Sequence, residues 1–180
     1  MIIVGIIGKA YSGKSTLGQY LIDEYGFVKI SFAERLKKMC IKAGLVTHKE
    51  CYIEKTAHSR EILQKVGTDL FRNQVDPDYW VKVIQPDYDL MVRNGVTKFV
   101  IDDVRFPNEA KWIHSYPYGV TVKVIREGYI NELAGSSHPS ESYQDTIVPD
   151  FTLSAKSGEI DNLKNGLFAI LVDKGVITFH

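Results

Sequence analysis

The chain has little cysteine and no excess of charge. Only Cys40 and Cys51 are present among 180 residues, with no C-x-x-C pair. A disulfide framework and a thiolate zinc site are therefore excluded, and two reduced thiols in a cytoplasmic protein are expected. Lys and Arg number 22 against 22 Asp and Glu, a formal net charge of zero. That argues against a basic face gripping nucleic acid, whose affinity comes mostly from cations neutralising phosphates. It leaves room for a small anion, which needs only a few cations and backbone N–H groups. Long apolar runs are missing as well. The opening stretch 2–7 has no basic n-region, runs straight into glycines and is far too short to cross a bilayer, so no membrane association is expected. The five histidines are scattered without a metal-ligand spacing such as H-E-x-x-H. No internal repeat, low-complexity tract or Pro/Gly/Ser linker marks a boundary, so one domain over 1–180 is expected, and 44% apolar residues argue against disorder.

What is present alternates strand and helix. The β-branched run 2–7 suits a central parallel strand buried on both faces. Helical spacing follows over 16–25, ending at Gly26. The pattern continues with a strand at 27–30 and helices at 34–43, 58–72 and 76–94, the last expected to kink or split at Pro86. Strands at 97–102, 120–125 and 151–153 alternate with helices at 108–114 and 159–173. The stretch 127–149 is polar and irregular. This order predicts an α/β layered fold with a five-stranded parallel sheet flanked by helices, ligands lying at the carboxyl ends of its strands.

Directly after the first strand comes Gly8-Lys9-Ala10-Tyr11-Ser12-Gly13-Lys14-Ser15, the pattern G-x-x-x-x-G-K-[ST]. Its glycines let successive N–H groups curl inward as an anion nest, and the following helix adds its positive end. Gly8, Ala10, Tyr11, Ser12, Gly13, Lys14, Ser15 and Thr16 are thus the expected nucleotide-phosphate residues. Lys14 supplies charge for the β- and γ-phosphates, and the Ser15 hydroxyl a ligand for Mg²⁺. The run Phe99-Val100-Ile101-Asp102-Asp103 is an apolar strand ending in carboxylates, as the metal site of such a loop needs. Periodicity does not choose between Asp102 and Asp103. The N-K-x-D tetrad and the D-x-x-G of GTPases are absent. Arg35, Lys37, Arg60, Arg72, Arg105 and Arg126 fall where a second phosphorylated substrate would lie, and Arg suits that task because its planar fork binds phosphate bidentately.

Several segments, in order, resemble the bacteriophage deoxynucleoside monophosphate kinases. They are Ser31-Phe32-Ala33-Glu34-Arg35-Leu36-Lys37, Arg60 with Leu63-Gln64-Lys65-Val66-Gly67-Thr68-Asp69, Tyr79-Trp80-Val81-Lys82, Asp103-Val104-Arg105-Phe106-Pro107-Asn108-Glu109, Val124-Ile125-Arg126 and His138-Pro139-Ser140-Glu141. The resemblance implies a P-loop kinase fold with a helical substrate-binding region at about 32–95 and a lid loop at about 127–149. It implies transfer of phosphate from Mg-ATP to a deoxynucleoside monophosphate by a monomer or homodimer. Asp103 is then the acid organising Mg²⁺ with Ser15, Arg105 the clamp on the acceptor phosphate, and Arg126 the partner of the transferring group. Phe32, Arg35, Lys37, Arg60, Gln64, Asp69, Arg72, Trp80, His138 and Glu141 belong to the acceptor site, with Gln64 reading a base edge and Trp80 stacking on the base or crowding a ribose hydroxyl. The backbone of Ala155 and Lys156 faces the adenine.

Two departures from the family stand out. The lid stretch 127–149 carries no Lys or Arg, so Arg126→Ala is expected to lose more kcat than His138→Ala. The turn after the last strand reads Ser154-Ala155-Lys156-Ser157-Gly158 where the family often has an Asn-Asp-Gly-like turn. A nucleotide phosphate is already an anionic nucleophile, so no base dyad is required. The other readings are a different small-molecule P-loop kinase, for example of dephospho-coenzyme A, and a nucleotide-binding regulatory module with little turnover.

Overall fold

A computed structural model describes residues 1–128 and 142–177. In chain order the elements are β1 (Ile2–Ile7), α1 (Lys14–Tyr25), β2 (Val28–Lys29), α2 (Phe32–Lys42), α3 (His48–Tyr52), α4 (Ala57–Gln64), a π-helix (Lys65–Val75), α5 (Tyr79–Arg93), β3 (Lys98–Val104), α6 (Pro107–His114), β4 (Tyr118–Arg126), a 3₁₀ turn (Tyr143–Thr146), β5 (Phe151–Ala155) and α7 (Ile160–Asp173). They form two compact units, one of 1–30 with 91–180 and one of 31–90.

The first unit is built on a five-stranded sheet in the order β2-β3-β1-β4-β5, with every pair parallel. β1 lies at its centre because Val4 and Ile6 face one side, Ile3 and Ile7 the other, and both sides are covered. On one side α1 and α7 bring Leu17, Leu21, Leu163, Leu167 and Leu171 onto Val4, Ile6, Val100, Val122 and Val124. These leucines recur at i, i+4 and i+8, the spacing that turns one helical stripe inward. α6 packs on β1 and β4. Its end is tied by His114 Nε2, 2.9 Å from Asp150 Oδ2, which also accepts the Thr121 N–H at 2.7 Å.

Partial burial pushes the Asp150 carboxyl up, but the bonds from Thr121 and His114 outweigh it and hold the group below the ordinary aspartate range. A carboxyl depressed in the folded state contributes stability above its unfolded pKa, about 3.9, and loses it as pH falls through the folded value. Asp150→Asn should therefore narrow the difference in thermal stability between neutral pH and about pH 3, by less than about 1 kcal/mol because the side chain is 40% exposed. An unchanged difference in a pH–Tm series would count against this account.

In the second unit the stretch expected as one helix over 58–72 divides. α4 ends at Gln64 and the chain continues with π geometry to Val75. Over so few residues an apolar stripe does not separate a repeat of 3.6 from one of 4.4. Within this unit Gly67 carries the approach of α2: a Cβ there would lie 2.6 Å from Leu36 Cδ2. The π-helical carbonyl of Gly67 accepts the Trp80 indole N–H at 2.8 Å. α5 runs on through Pro86 without splitting. Pro removes one backbone bond, at about 3 kcal/mol, but Trp80, Ile84 and Tyr88 are all buried on one face of α5 and their packing outweighs that cost. A five-residue helix not expected from the pattern, α3, is started by a capping box in which Thr47 and Glu50 each bond the other's backbone N–H.

Candidate active site

The carboxyl ends of the strands in the first unit gather most of the expected phosphate chemistry. Between β1 and α1 the loop turns sharply. Gly8 has φ 153° and Gly13 φ 102°, and Tyr11, at φ 61°, is the one non-glycine with positive φ among the described residues. A Cβ on Gly8 would stand 2.5 Å from the Val124 carbonyl of β4, so close approach and conformation both demand glycine there. α1 starts at Lys14 with Gly13 as N-cap and no side-chain cap, which leaves its first N–H groups directed at the loop mouth. The Lys14 ammonium rests on the Lys9 carbonyl at 2.5 Å. Ser12 is buried, and its hydroxyl has no hydrogen-bond partner among the described residues. Ala10 is half-buried, while Ser15 and Thr16 are exposed on the first turn of α1.

At the end of β3, Asp102 is buried and Asp103 half-buried. Asp102 lies against α1: a Cβ on Gly18 would be 3.6 Å from its Oδ2. Ser15 and these two aspartates are a donor set of one hydroxyl and two carboxylates. Among the described residues there is no cluster of three or more His, Cys, Asp or Glu. Mg²⁺ bound with nucleotide phosphates keeps several waters and uses one or two carboxylates, so the donors present fit it.

Arg105 follows on an exposed turn. Its N–H and that of Phe106 donate to Glu109 Oε2 at 2.7 and 3.1 Å, and Glu109 is 2% exposed. This buried carboxylate holds the turn that presents Arg105. Its role was not read from sequence, although Pro at the first helical position followed by Glu at the third is a recognisable helix start.

Arg126 ends β4. Its guanidinium donates to Ser157 Oγ at 2.6 Å and to the Tyr11 carbonyl at 3.4 Å. It thus joins the phosphate loop to the turn after β5. In that turn the Ala155 carbonyl accepts the Glu127 N–H at 3.0 Å, and the Lys156 N–H donates to Glu159 at 3.0 Å. One backbone group of each of the two residues is thus engaged within the protein, by Glu127 and by Glu159. The 3₁₀ turn sits beside these parts. Tyr143 packs on Phe106 with ring centres 5.3 Å apart, and Asp145 lies 3.3 Å from Lys123 and 3.9 Å from Lys9. His138 and Glu141, with most of the expected lid, lie outside the described residues.

The second unit holds the other expected acceptor residues. Phe32 and Trp80 are 3% and 5% exposed. Trp80 packs on Phe71 and Tyr79, with its ring buried in this unit. Lys37 places its ammonium 4.9 Å from the Tyr52 ring centre. Arg35 donates Nε to Asp87 at 2.9 Å, and this hydrogen bond holds the Asp87 carboxyl below its ordinary range. Arg72 is buried and donates to the Pro77 carbonyl at 2.7 Å. Arg60 and Asp69 are half-buried. The Gln64 amide nitrogen is buried without a hydrogen-bond partner among the described residues, an uncommon state for a polar group.

The family model for deoxynucleotide monophosphate kinase matches residues 42–142. A protein of Acanthamoeba polyphaga mimivirus that carries the provisional name deoxynucleotide monophosphate kinase is 34% identical over 160 residues, 78% of this chain and 81% of the relative. The deoxynucleotide monophosphate kinase of Enterobacteria phage T4 is 25% identical over 177 residues, and this chain spans 64% of its length. Among solved structures, a sugar kinase from Janibacter sp. HTCC2649 superposes with a TM-score of 0.52 at 13% identity, covering 99% of each chain. That likeness concerns the fold alone.

Proposed function

Because the chain belongs to the deoxynucleotide monophosphate kinase family, we propose that it moves the γ-phosphate of ATP to a deoxynucleoside 5′-monophosphate, giving ADP and the diphosphate. The observation that carries this reading is the phosphate loop between β1 and α1, with Lys14 and an uncapped helix start, in a chain of that family. The loop N–H groups and Lys14 hold the ATP phosphates and neutralise charge as the γ-phosphoryl leaves. Ser15 with an aspartate at the end of β3 holds Mg²⁺, which supplies charge neutralisation on the phosphates when bound.

The acceptor phosphate is an anionic nucleophile, so this chain needs only to position it. Arg105, presented by Glu109, is the group for that phosphate, as Arg makes bidentate contacts with phosphate oxygens. The unpartnered Gln64 amide nitrogen supports a role in meeting an acceptor on the base edge. Dephospho-coenzyme A is disfavoured as acceptor by the family match. No helix among the described residues is long and apolar enough to cross a membrane.

The test is acceptor-dependent ADP release with Mg-ATP and a panel of deoxynucleoside monophosphates and dephospho-coenzyme A. Turnover with one or more of the former is expected. Release with dephospho-coenzyme A alone, or nucleotide binding without release, would replace this reading. Arg126→Ala should lower kcat/KM for ATP about tenfold, the scale of one charge-assisted hydrogen bond, and should cost more kcat than His138→Ala. Equal losses in steady-state assays would remove Arg126 from the transfer step.

A further inference from the structure

Asp102 and Asp103 are adjacent on a strand, and simple alternation would send them to opposite faces. The register shows more. Gly5 of β1 is paired with Ile101 and Ile7 with Val104, so Ile6 alone stands opposite both aspartates. This is a bulge, a feature that re-aims side chains and recurs beside active sites. Asp102 is directed to the α1 face, where a Cβ on Gly18 would lie 3.3 Å from its Cβ. Gly18 is three residues beyond Ser15, so the serine and the aspartate meet the same face of α1.

The Asp102 side chain is 7% exposed, and its Oδ2 accepts the Lys29 ammonium at 2.7 Å. Lys29 is paired with Val100 across β2 and β3, two residues before Asp102 on the same face, so the ion pair is a diagonal cross-strand contact. A carboxylate this buried is costly without a counter-charge. Lys29, its side chain 48% exposed, provides one from the solvent side and engages a single oxygen.

We propose that Lys29 is a positioning residue that holds Asp102 on the α1 face beside Ser15 as the acid of the magnesium site. The proposal rests on the phosphotransfer reading above for what the metal does. Its test does not need the acceptor. ADP binding is measured by calorimetry across a Mg²⁺ series for the wild type, Lys29→Met and Lys29→Arg.

In Lys29→Met the Mg²⁺ concentration for half-maximal tightening of ADP should rise about tenfold or more, the usual scale for loss of a group orienting a metal ligand. Metal-free ADP affinity should stay unchanged, and Lys29→Arg should restore most of the shift. An unshifted Mg²⁺ requirement with only a lower Tm would make the ion pair purely structural. A reduced requirement would make Lys29 a competitor of the metal. Either result overturns the proposal. If Lys29→Met does not fold, Asp102→Asn decides: it should show the same Mg²⁺ shift, and an unshifted requirement overturns the proposal. If the wild type phosphorylates no deoxynucleoside monophosphate, the functional reading fails, while the Mg²⁺ titration still decides the role of Lys29.

Discussion

Lys14→Met is expected to lower kcat/KM about a thousandfold, roughly 4 kcal/mol of transition-state stabilisation, with almost no change in Tm. The two halves of that result have separate causes. In the nucleotide-free loop the ammonium donates to the Lys9 carbonyl of the same loop, five residues away on the exposed rim. Removing it leaves the core of α1, made by Leu17 and Leu21, untouched. On the proposed reading the same ammonium meets phosphate oxygens in the loaded loop, among backbone N–H groups, where a fixed charge is worth more than in water. Phosphoryl transfer offers little other chemistry for the protein to perform, so charge placed on the leaving and transferring oxygens carries most of the rate. Lys14→Arg should rescue poorly, because a planar fork does not replace a compact ammonium in a loop this tight. Steady-state kinetics with a thermal melt for each variant checks both halves. A loss under about tenfold would place the transfer elsewhere.

Glu109→Ala should have the largest effect on stability, about 3 kcal/mol, and should also raise KM for the acceptor nucleotide. Oε2 accepts the N–H groups of Arg105 and Phe106, and the residue is buried. Truncation leaves both donors short of a partner, at about 1–3 kcal/mol for each buried unsatisfied group, and opens a void at the start of α6. Because the same turn presents Arg105, its loosening would disturb the group proposed for the acceptor phosphate. Glu109→Gln keeps an acceptor oxygen of similar reach but loses the charge, so it should cost about half as much. Urea denaturation measures the stability term, and acceptor titration at saturating ATP measures KM. A variant equally stable but catalytically impaired would separate Glu109 from the turn and contradict this account.

The contrast between these two residues shows what can be read from a chain alone. The place of Lys14 was legible because its surroundings are local: a strand, a glycine-rich turn and a helix start are contiguous, and each part of the loop dictates the next. Arg105 and Arg126 were legible as strand-end cations for a similar reason. Lys29 was not. It stands 73 residues from Asp102, and nothing in either neighbourhood announces the other. The choice between Asp102 and Asp103 was closed to periodicity because alternation sends neighbours to opposite faces without saying which face meets α1, and the bulge that sets both opposite Ile6 leaves no mark in the sequence. The burial of the Trp80 ring was not legible, because an aromatic in a recognisable motif carries no signal of whether its ring will be buried, and the Gly67 carbonyl that takes its N–H lies on a separate element.

By itself, then, the sequence determined the order of strands and helices, the parallel sheet and the phosphate loop, since these follow from hydrophobic period and from turns made within a few residues. The sequence also determined that the segment 127–149 has no Lys or Arg to offer a phosphate. Only the tertiary structure decided how strand-end residues pair: Arg126 with Ser157 and the loop carbonyl of Tyr11, Glu109 beneath Arg105, Lys29 on Asp102. The physical reason is that contacts between distant segments depend on register and on which face a side chain takes. One extra residue opposite Ile6 is enough to change both.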